Sequence, residues 1–242
     1  MMKISEIYNF LDNLSPFNTQ ATWDNSGLLI GDLNNEIKNI YISLDIDEAL
    51  ITNAEPNSLL ITHHPLIFKP LNNLAGQKYP KNLIKKMLNK NLSLISMHTN
   101  YDLSHLNMYF AKDILGFDII SSEDFVIYTN INLYFKDLIA LIKQKLNLSF
   151  IKTTLSNKDF IKTLAICTGS GGDLIPYINA DCFLSGDFKY HQALEALNND
   201  LALIDIDHFV SENCFAKSLF IHLQNLPVKV IISNCKNPFS YF

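Results

Sequence analysis

The hydrophobic residues of this chain fall into two rhythms. Short unbroken runs, among them Leu28-Leu29-Ile30, Leu59-Leu60-Ile61, Cys182-Phe183-Leu184 and Leu201-Ala202-Leu203-Ile204, have the length and composition of buried strands. They predict strands over 28–30, 39–44, 58–62, 92–97, 164–168, 180–185 and 201–206. Between them apolar residues return every three or four positions, which predicts helices over 80–89, 107–115, 135–146, 173–179, 189–198 and 211–223. At the start, Ile4, Ile7, Tyr8, Leu11 and Leu14 keep the helical spacing, so residues 1–17 read as a surface helix and not as a secretion signal. Strands alternating with helices specify an α/β fold.

Residues 121–133 are polar and irregular, with no long linker, and the division between halves is placed there. A first α/β half spans 1–125 and a second 126–242, with the segment from about 203 to 242 expected to pack back on the first. The halves repeat one order of elements. In the first, successive strands end at Asp45, at His63-His64-Pro65 and at His98-Thr99-Asn100-Tyr101-Asp102. In the second they end at Gly169-Ser170-Gly171-Gly172, at Gly186-Asp187 and at Asp205-Ile206-Asp207-His208. This predicts related strand orders in the two halves, although letter identity between them is slight.

The polar residues thus collect where hydrophobic strands stop, which is where open α/β sheets build ligand sites. Neighbouring residues leaving a strand point to opposite sides, so His63 and His64 suit two metal ions side by side, or one ion and one supporting contact; Pro65 fixes the turn. A solvent-facing pair is the ordinary alternative. Asp102 lies four residues after His98, on one face if the backbone turns helical there, and a carboxylate can bridge two cations. His208 and Glu212 share the same spacing at the start of a helix. Three imidazoles (His63, His64, His208) and two carboxylates (Asp102, Glu212) form a donor set suited to two divalent ions, with Zn, Fe, Mn or Ni all admissible. His98 and His191 are candidate proton carriers; His191 equally suits a helix cap. Lys189, Tyr190 and Trp23 are candidate substrate contacts, Trp23 as part of a wall. The glycines at 169, 171 and 172 suit a tight turn better than a phosphate cradle, since neither a P-loop nor a dinucleotide fingerprint surrounds them.

Composition narrows the choice. With 48% hydrophobic and 18% charged residues over 242 positions, the chain can bury a core and is not disordered. All 19 basic residues are Lys and the net charge is −5, which argues against a nucleic-acid binder and removes any arginine clamp on phosphate. No apolar run reaches the ~18 residues of a membrane span. The four cysteines stand apart without a C-x-x-C pair and read as reduced thiols, hence a cytoplasmic protein.

In order along the chain stand Trp23-Asp24-Asn25-Ser26-Gly27-Leu28-Leu29-Ile30-Gly31-Asp32, Thr62-His63-His64-Pro65-Leu66-Ile67-Phe68 and His98-Thr99-Asn100-Tyr101-Asp102. Ser185-Gly186-Asp187-Phe188-Lys189-Tyr190-His191, His208-Phe209-Val210-Ser211-Glu212 and Pro238-Phe239 follow. This combination resembles the NIF-three-like family, the GTP cyclohydrolase I type 2 homologues, over nearly the whole chain. The resemblance implies two similar, interlocked α/β domains with mixed sheets, a dinuclear metal centre in the cleft between them, and a ring-shaped homohexamer. It implies metal ligation by His63, His64, Asp102, His208 and Glu212, the two carboxylates being shared or bridging. After Asp102 this chain has Leu103-Ser104-His105-Leu106-Asn107 where the family often carries a glycine pair. The expected activity is metal-dependent hydrolysis of a small molecule, in the family's terms GTP ring opening with loss of formate; a phosphoesterase is the nearest enzymatic rival. A metal-binding scaffold or regulatory partner without turnover is the alternative from another class.

Overall fold

The computed structural model describes residues 1–154 and 158–240. The chain opens with β1 (Met2–Lys3) and α1 (Ile4–Leu14), whose Ile4, Ile7 and Leu11 are buried at the predicted spacing and whose first turn is closed by the Glu6 carboxylate on the Lys3 N–H. Then come β2 (Gly27–Ile30), β3 (Glu36–Ile37), β4 (Asn39–Ser43), α2 (Glu48–Asn53), β5 (Leu59–Thr62), α3 (Lys81–Asn89) and β6 (Ser93–Ser96). A helical run follows: α4 (Thr99–Tyr101), a wide turn over Asp102–Leu106, α5 (Asn107–Tyr109) and another wide turn over Phe110–Ile114. The remaining elements are β7 (Ile119–Glu123), β8 (Val126–Tyr134), α6 (Phe135–Leu146), β9 (Lys152–Thr153), β10 (Phe160–Ile166), β11 (Cys182–Ser185), α7 (Tyr190–Asn198), β12 (Ala202–Asp205), α8 (His208–Glu212), α9 (Phe215–Leu223) and β13 (Lys229–Ile232).

Two compact units result. Unit 1 comprises residues up to Tyr101 together with those from Phe215 on; unit 2 is Asp102–Cys214. The division therefore falls inside the helical run at 101/102 and not at 125/126, and the return to unit 1 begins at 215 rather than near 203. Strand pairing explains both shifts: β8 is antiparallel to β10 and so belongs to the second sheet, while β13 lies parallel to β4 and belongs to the first.

Residues 121–133, read above as polar and irregular, lie within the β7–β8 hairpin, closed at Glu123↔Val126 with Asp124 in the left-handed region. The polar letters mislead because β7 is an edge strand with Ser121, Ser122 and Glu123 exposed, while Val126 and Tyr128 of β8 enter the core of unit 2. Two predicted helices also change form. Residues 172–177, with Pro176 inside, form a six-residue helix of the tighter 3-10 kind, and the helix expected over 211–223 is two helices, α8 and α9.

The sheet of unit 1 runs β13-β4-β5-β6-β2, and that of unit 2 runs β7-β8-β10-β11-β12-β9. Both contain three parallel strands laid down in order (β4, β5, β6 and β10, β11, β12), with an antiparallel edge strand that precedes them in sequence beside the third (β2 and β9). They differ on the other side, where β13 is parallel to β4 but β8 is antiparallel to β10. Each sheet has its own core: Leu60, Leu94, Leu50 and Met87 in unit 1, Phe183, Ala165, Leu203 and Ala196 in unit 2. The chemistry-bearing residues sit just past the carboxyl ends of the parallel strands.

Candidate metal centre

In unit 1, β5 delivers His63 and His64 and β6 delivers His98. His63 is fully buried, its ring 4.9 Å from that of Phe215, and its Nδ1–H donates to the Met97 carbonyl at 2.9 Å. His64 donates from Nδ1 to Asp45, the residue two past the end of β4, at 2.8 Å. His98 donates from Nδ1 to Asp24 at 2.8 Å. A carbonyl or an ionised carboxylate can only accept, so in each ring Nδ1 carries the hydrogen and Nε2 is the nitrogen with ligand character. The three rings lie 5.0 to 5.6 Å apart, centroid to centroid, and one nitrogen from each lies within 4.8 Å of the others.

Asp24 is the best-held carboxylate of this unit. Its side chain is 0% exposed and also accepts from the Thr99 N–H at 3.0 Å, the Thr99 hydroxyl at 2.5 Å, the Asn25 N–H at 2.7 Å and the Ser26 hydroxyl at 3.0 Å. Burial works to raise its pKa, but the hydrogen bond and charge of His98, with those from Thr99 and Asn25, outweigh it and hold the carboxyl far below the usual carboxylate range.

In unit 2 the donors are Asp102, His208 and Glu212. His208 and Glu212 begin and end α8, and the four-residue spacing brings His208 Nε2 to 3.0 Å from Glu212 Oε2. His208 Nδ1 is 2.7 Å from Asp187, which leaves β11, and this bond, opposed by burial, lowers the Asp187 pKa. An imidazole between two carboxylates serves both as a donor only when it carries a second proton, and a divalent cation is the other positive charge that would suit Glu212 there. Gly169, with φ +65°, makes room for this arrangement: a Cβ at that position would stand 2.2 Å from Glu212 Oε1. The loop after β10 is thus a carboxylate-hugging turn, its Gly169 and Gly171 N–H groups donating to Ser211 and Ser185. Burial pushes the Cys167 thiol up, with the charges of Asp102 and Glu212 adding to the effect, so both acids lie near a thiol that stays neutral. Asn107 ties the Asp102 turn to this loop, donating to the Asp102 carbonyl at 3.1 Å and accepting from the Thr168 N–H at 2.6 Å.

The other expected site residues divide. Trp23 stands beside the imidazoles of unit 1, its ring 6.0 Å from His98. Lys189 and Tyr190 line a cleft of about 310 Å³ in unit 2 with Phe188, Leu203, Lys152 and Asp205, where Lys152 pairs with Asp205 at 2.5 Å. His191 is exposed on α7, and its ring contact among the described residues is with Tyr190, 5.2 Å away. Sequence reasoning assigned no role to Asp24, Asp45 or Asp187. Two of them occupy strand ends, and an acid at a strand end beside one that ends in histidine was the available signal.

The donor set fits divalent metal. In unit 1 three imidazoles are held through Nδ1 by carboxylates or a carbonyl, and in unit 2 His208 is held likewise with Glu212 beside it, the supporting arrangement typical of metal-ligating histidines. No helix among the described residues is long and apolar enough to cross a membrane.

Residues 2–238 match the model of the family Duf34/NIF3 (NGG1p interacting factor 3). A Campylobacter jejuni protein named GTP cyclohydrolase 1 type 2 homolog is 59% identical over 241 residues, covering 100% of both chains. A Helicobacter pylori protein named GTP cyclohydrolase 1 type 2 is 41% identical over 240 residues and 98% of each chain. The crystal structure of a Staphylococcus aureus hypothetical protein superposes with a TM-score of 0.89 at 27% identity, covering 100% of this chain and 99% of that one. By the match along its length and by these relatives, the chain belongs to the DUF34/NIF3 family.

Proposed function

We propose that the protein is a divalent-metal-dependent hydrolase of a small molecule, with His63, His64, Asp102, His208 and Glu212 as ligands of two ions and GTP ring opening as the reaction to test first. The observation that carries the reading is the uniform fixing of Nδ1 in His63, His64, His98 and His208, which turns one nitrogen type of every ring into a ligand or proton site. The names of the Campylobacter and Helicobacter relatives support the choice of substrate. When bound, two such ions lower the pKa of water toward ~7 and polarise the bond under attack. The chain's own residues supply the remainder. Asp24 orients His98, so that His98 Nε2 can take a proton from water and return it to the leaving group. Lys189, in the absence of any arginine, is a counter-charge for phosphate, with Tyr190 beside it. We further propose a hexameric assembly in the cytoplasm.

The test is a full-length preparation loaded in turn with Zn, Mn, Fe and Ni and offered GTP, with formate release and loss of purine absorbance as readouts. Turnover that Asp102→Ala and Glu212→Ala abolish is the expected result. Metal bound at two ions per chain with GTP untouched would remove the cyclohydrolase assignment, and inertness toward a metabolite panel as well would favour the scaffold reading.

A further inference from the structure

The geometry points to a docking wall for a planar aromatic ring, built from Trp23 and Phe68 beside His98. It deepens the hydrolase reading, on which it rests only for the ring being part of the substrate. Both side chains are large and apolar, yet Trp23 is 60% and Phe68 44% exposed. Their centroids are 5.9 Å apart with planes inclined at 49°, and His98 meets both edge-on, at 6.0 Å from Trp23 and 6.3 Å from Phe68. The wall therefore adjoins the imidazole cluster of unit 1.

The exposure does not come from loose chain. Trp23 precedes Asp24, the fully buried carboxylate that binds His98 and Thr99, and its turn is pinned again where the Ala21 N–H donates to the Thr99 hydroxyl at 2.9 Å. Phe68 follows Ile67, whose carbonyl accepts from the Asn25 side chain at 2.6 Å. Two separate loops are thus stitched together two residues after Trp23 and one residue before Phe68. Holding apolar rings in water at fixed positions forgoes the free energy of burying them, and preorganised rings bind at less cost in ordering.

Chemistry selects the occupant. Aromatic faces attract a flat π-system, whereas the imidazoles at the foot of the wall favour polar atoms on the occupant's edge. A flat body with a nitrogen- and oxygen-bearing edge is a heteroaromatic ring of the purine or pterin class. An aliphatic chain would offer no polar atom to the imidazole edge, and a phosphate alone would ignore the aromatics.

Trp23 is the single tryptophan of the chain, so its fluorescence reports on this wall directly. The full-length, metal-free protein is titrated with guanosine, adenosine, a pterin and tripolyphosphate, with excitation at the red edge of the indole band. Saturable quenching by at least one ring, and none by tripolyphosphate, is expected. Phe68→Ala should weaken that binding roughly 5- to 150-fold, the range for loss of one aromatic stacking partner, while Phe68→Tyr should retain it. Phe68→Leu, which keeps apolar volume, should fall with Phe68→Ala and separates stacking from simple burial. The proposal is overturned if no ring quenches Trp23, if Phe68→Leu binds like wild type, or if emission shifts only on dilution, which would make the wall an interface between copies. Because the titration needs neither metal nor turnover, ring binding without GTP hydrolysis would sink the cyclohydrolase assignment alone, and ring binding with inertness toward the whole metabolite panel would sink the hydrolase reading alone. Hydrolysis indifferent to Phe68→Leu would sink this one alone.

Discussion

The two units carry similar three-stranded parallel cores but dress the strand ends differently. In unit 1 the three ends supply Asp45, then His63 and His64, then His98; in unit 2 they supply Gly169, then Asp187, then His208. In both, an acid from one strand end holds the histidine of the next: Asp45 holds His64, and Asp187 holds His208. Unit 1 is rich in imidazole and takes a further buried acid, Asp24, from the turn before its edge strand β2. Unit 2 has one imidazole in this group and places carboxylates around it, with a glycine where bulk would collide. The scaffold thus sets where a side chain can stand, and the residue type at each end sets whether the unit offers neutral nitrogen or anionic oxygen.

The sharpest way to break this comparison is at its glycine. Gly169→Ala should collide with Glu212 and strain a left-handed backbone, costing about 1–3 kcal/mol of stability and removing more metal affinity than any substitution of a supporting acid. Thermal melts and metal titration by calorimetry would check both, and a variant that binds metal like wild type would show that Glu212 does not need that space. Asp24→Ala, which strands the donors of His98, Thr99 and Asn25, should cost a similar amount of stability, about 1–3 kcal/mol, measured by urea unfolding, without the collision at Glu212. Asp187→Asn and Asp45→Asn compare the two equivalent acids. Each should reduce metal affinity by about 10- to 100-fold, and because the two carboxylates are equally exposed, 46% for Asp45 and 45% for Asp187, the losses should be alike; a large difference would mean that the two acids are not equivalent supports.

The smallest effect concerns acid. Because the Asp24 pKa is lowered in the folded protein, its ionised form contributes stability at every pH above the unfolded value of about 3.9, and that contribution is lost as pH falls toward the folded value. Asp24→Asn should therefore be less stable at neutral pH and show a shallower decline below about pH 4 than wild type. Parallel curves would exclude Asp24 as a contributor to acid unfolding.

The strand and helix order was legible from hydrophobic rhythm because burial on two faces demands continuous apolar runs, as in β5 and β12, and burial on one stripe demands the spacing seen in α1 and α6. The family likeness was legible too, since its motifs are contiguous words. The β7–β8 hairpin was not, because an edge strand may be polar without penalty while its pairing partner alone shows the alternation. The His208–Glu212 pair could be read because one helical turn encloses it.

What folding alone decided is which distant residues serve each histidine. Asp24 is 74 positions from His98, and no local period connects them; only the antiparallel pairing of β2 with β6 brings that turn to the strand end. The same holds for Asp45 with His64 and for Gly169 with Glu212. Local sequence carries propensity and periodicity, whose physical range is a few residues, whereas the protonation and aim of a ligand are set by neighbours that chain topology delivers from far away.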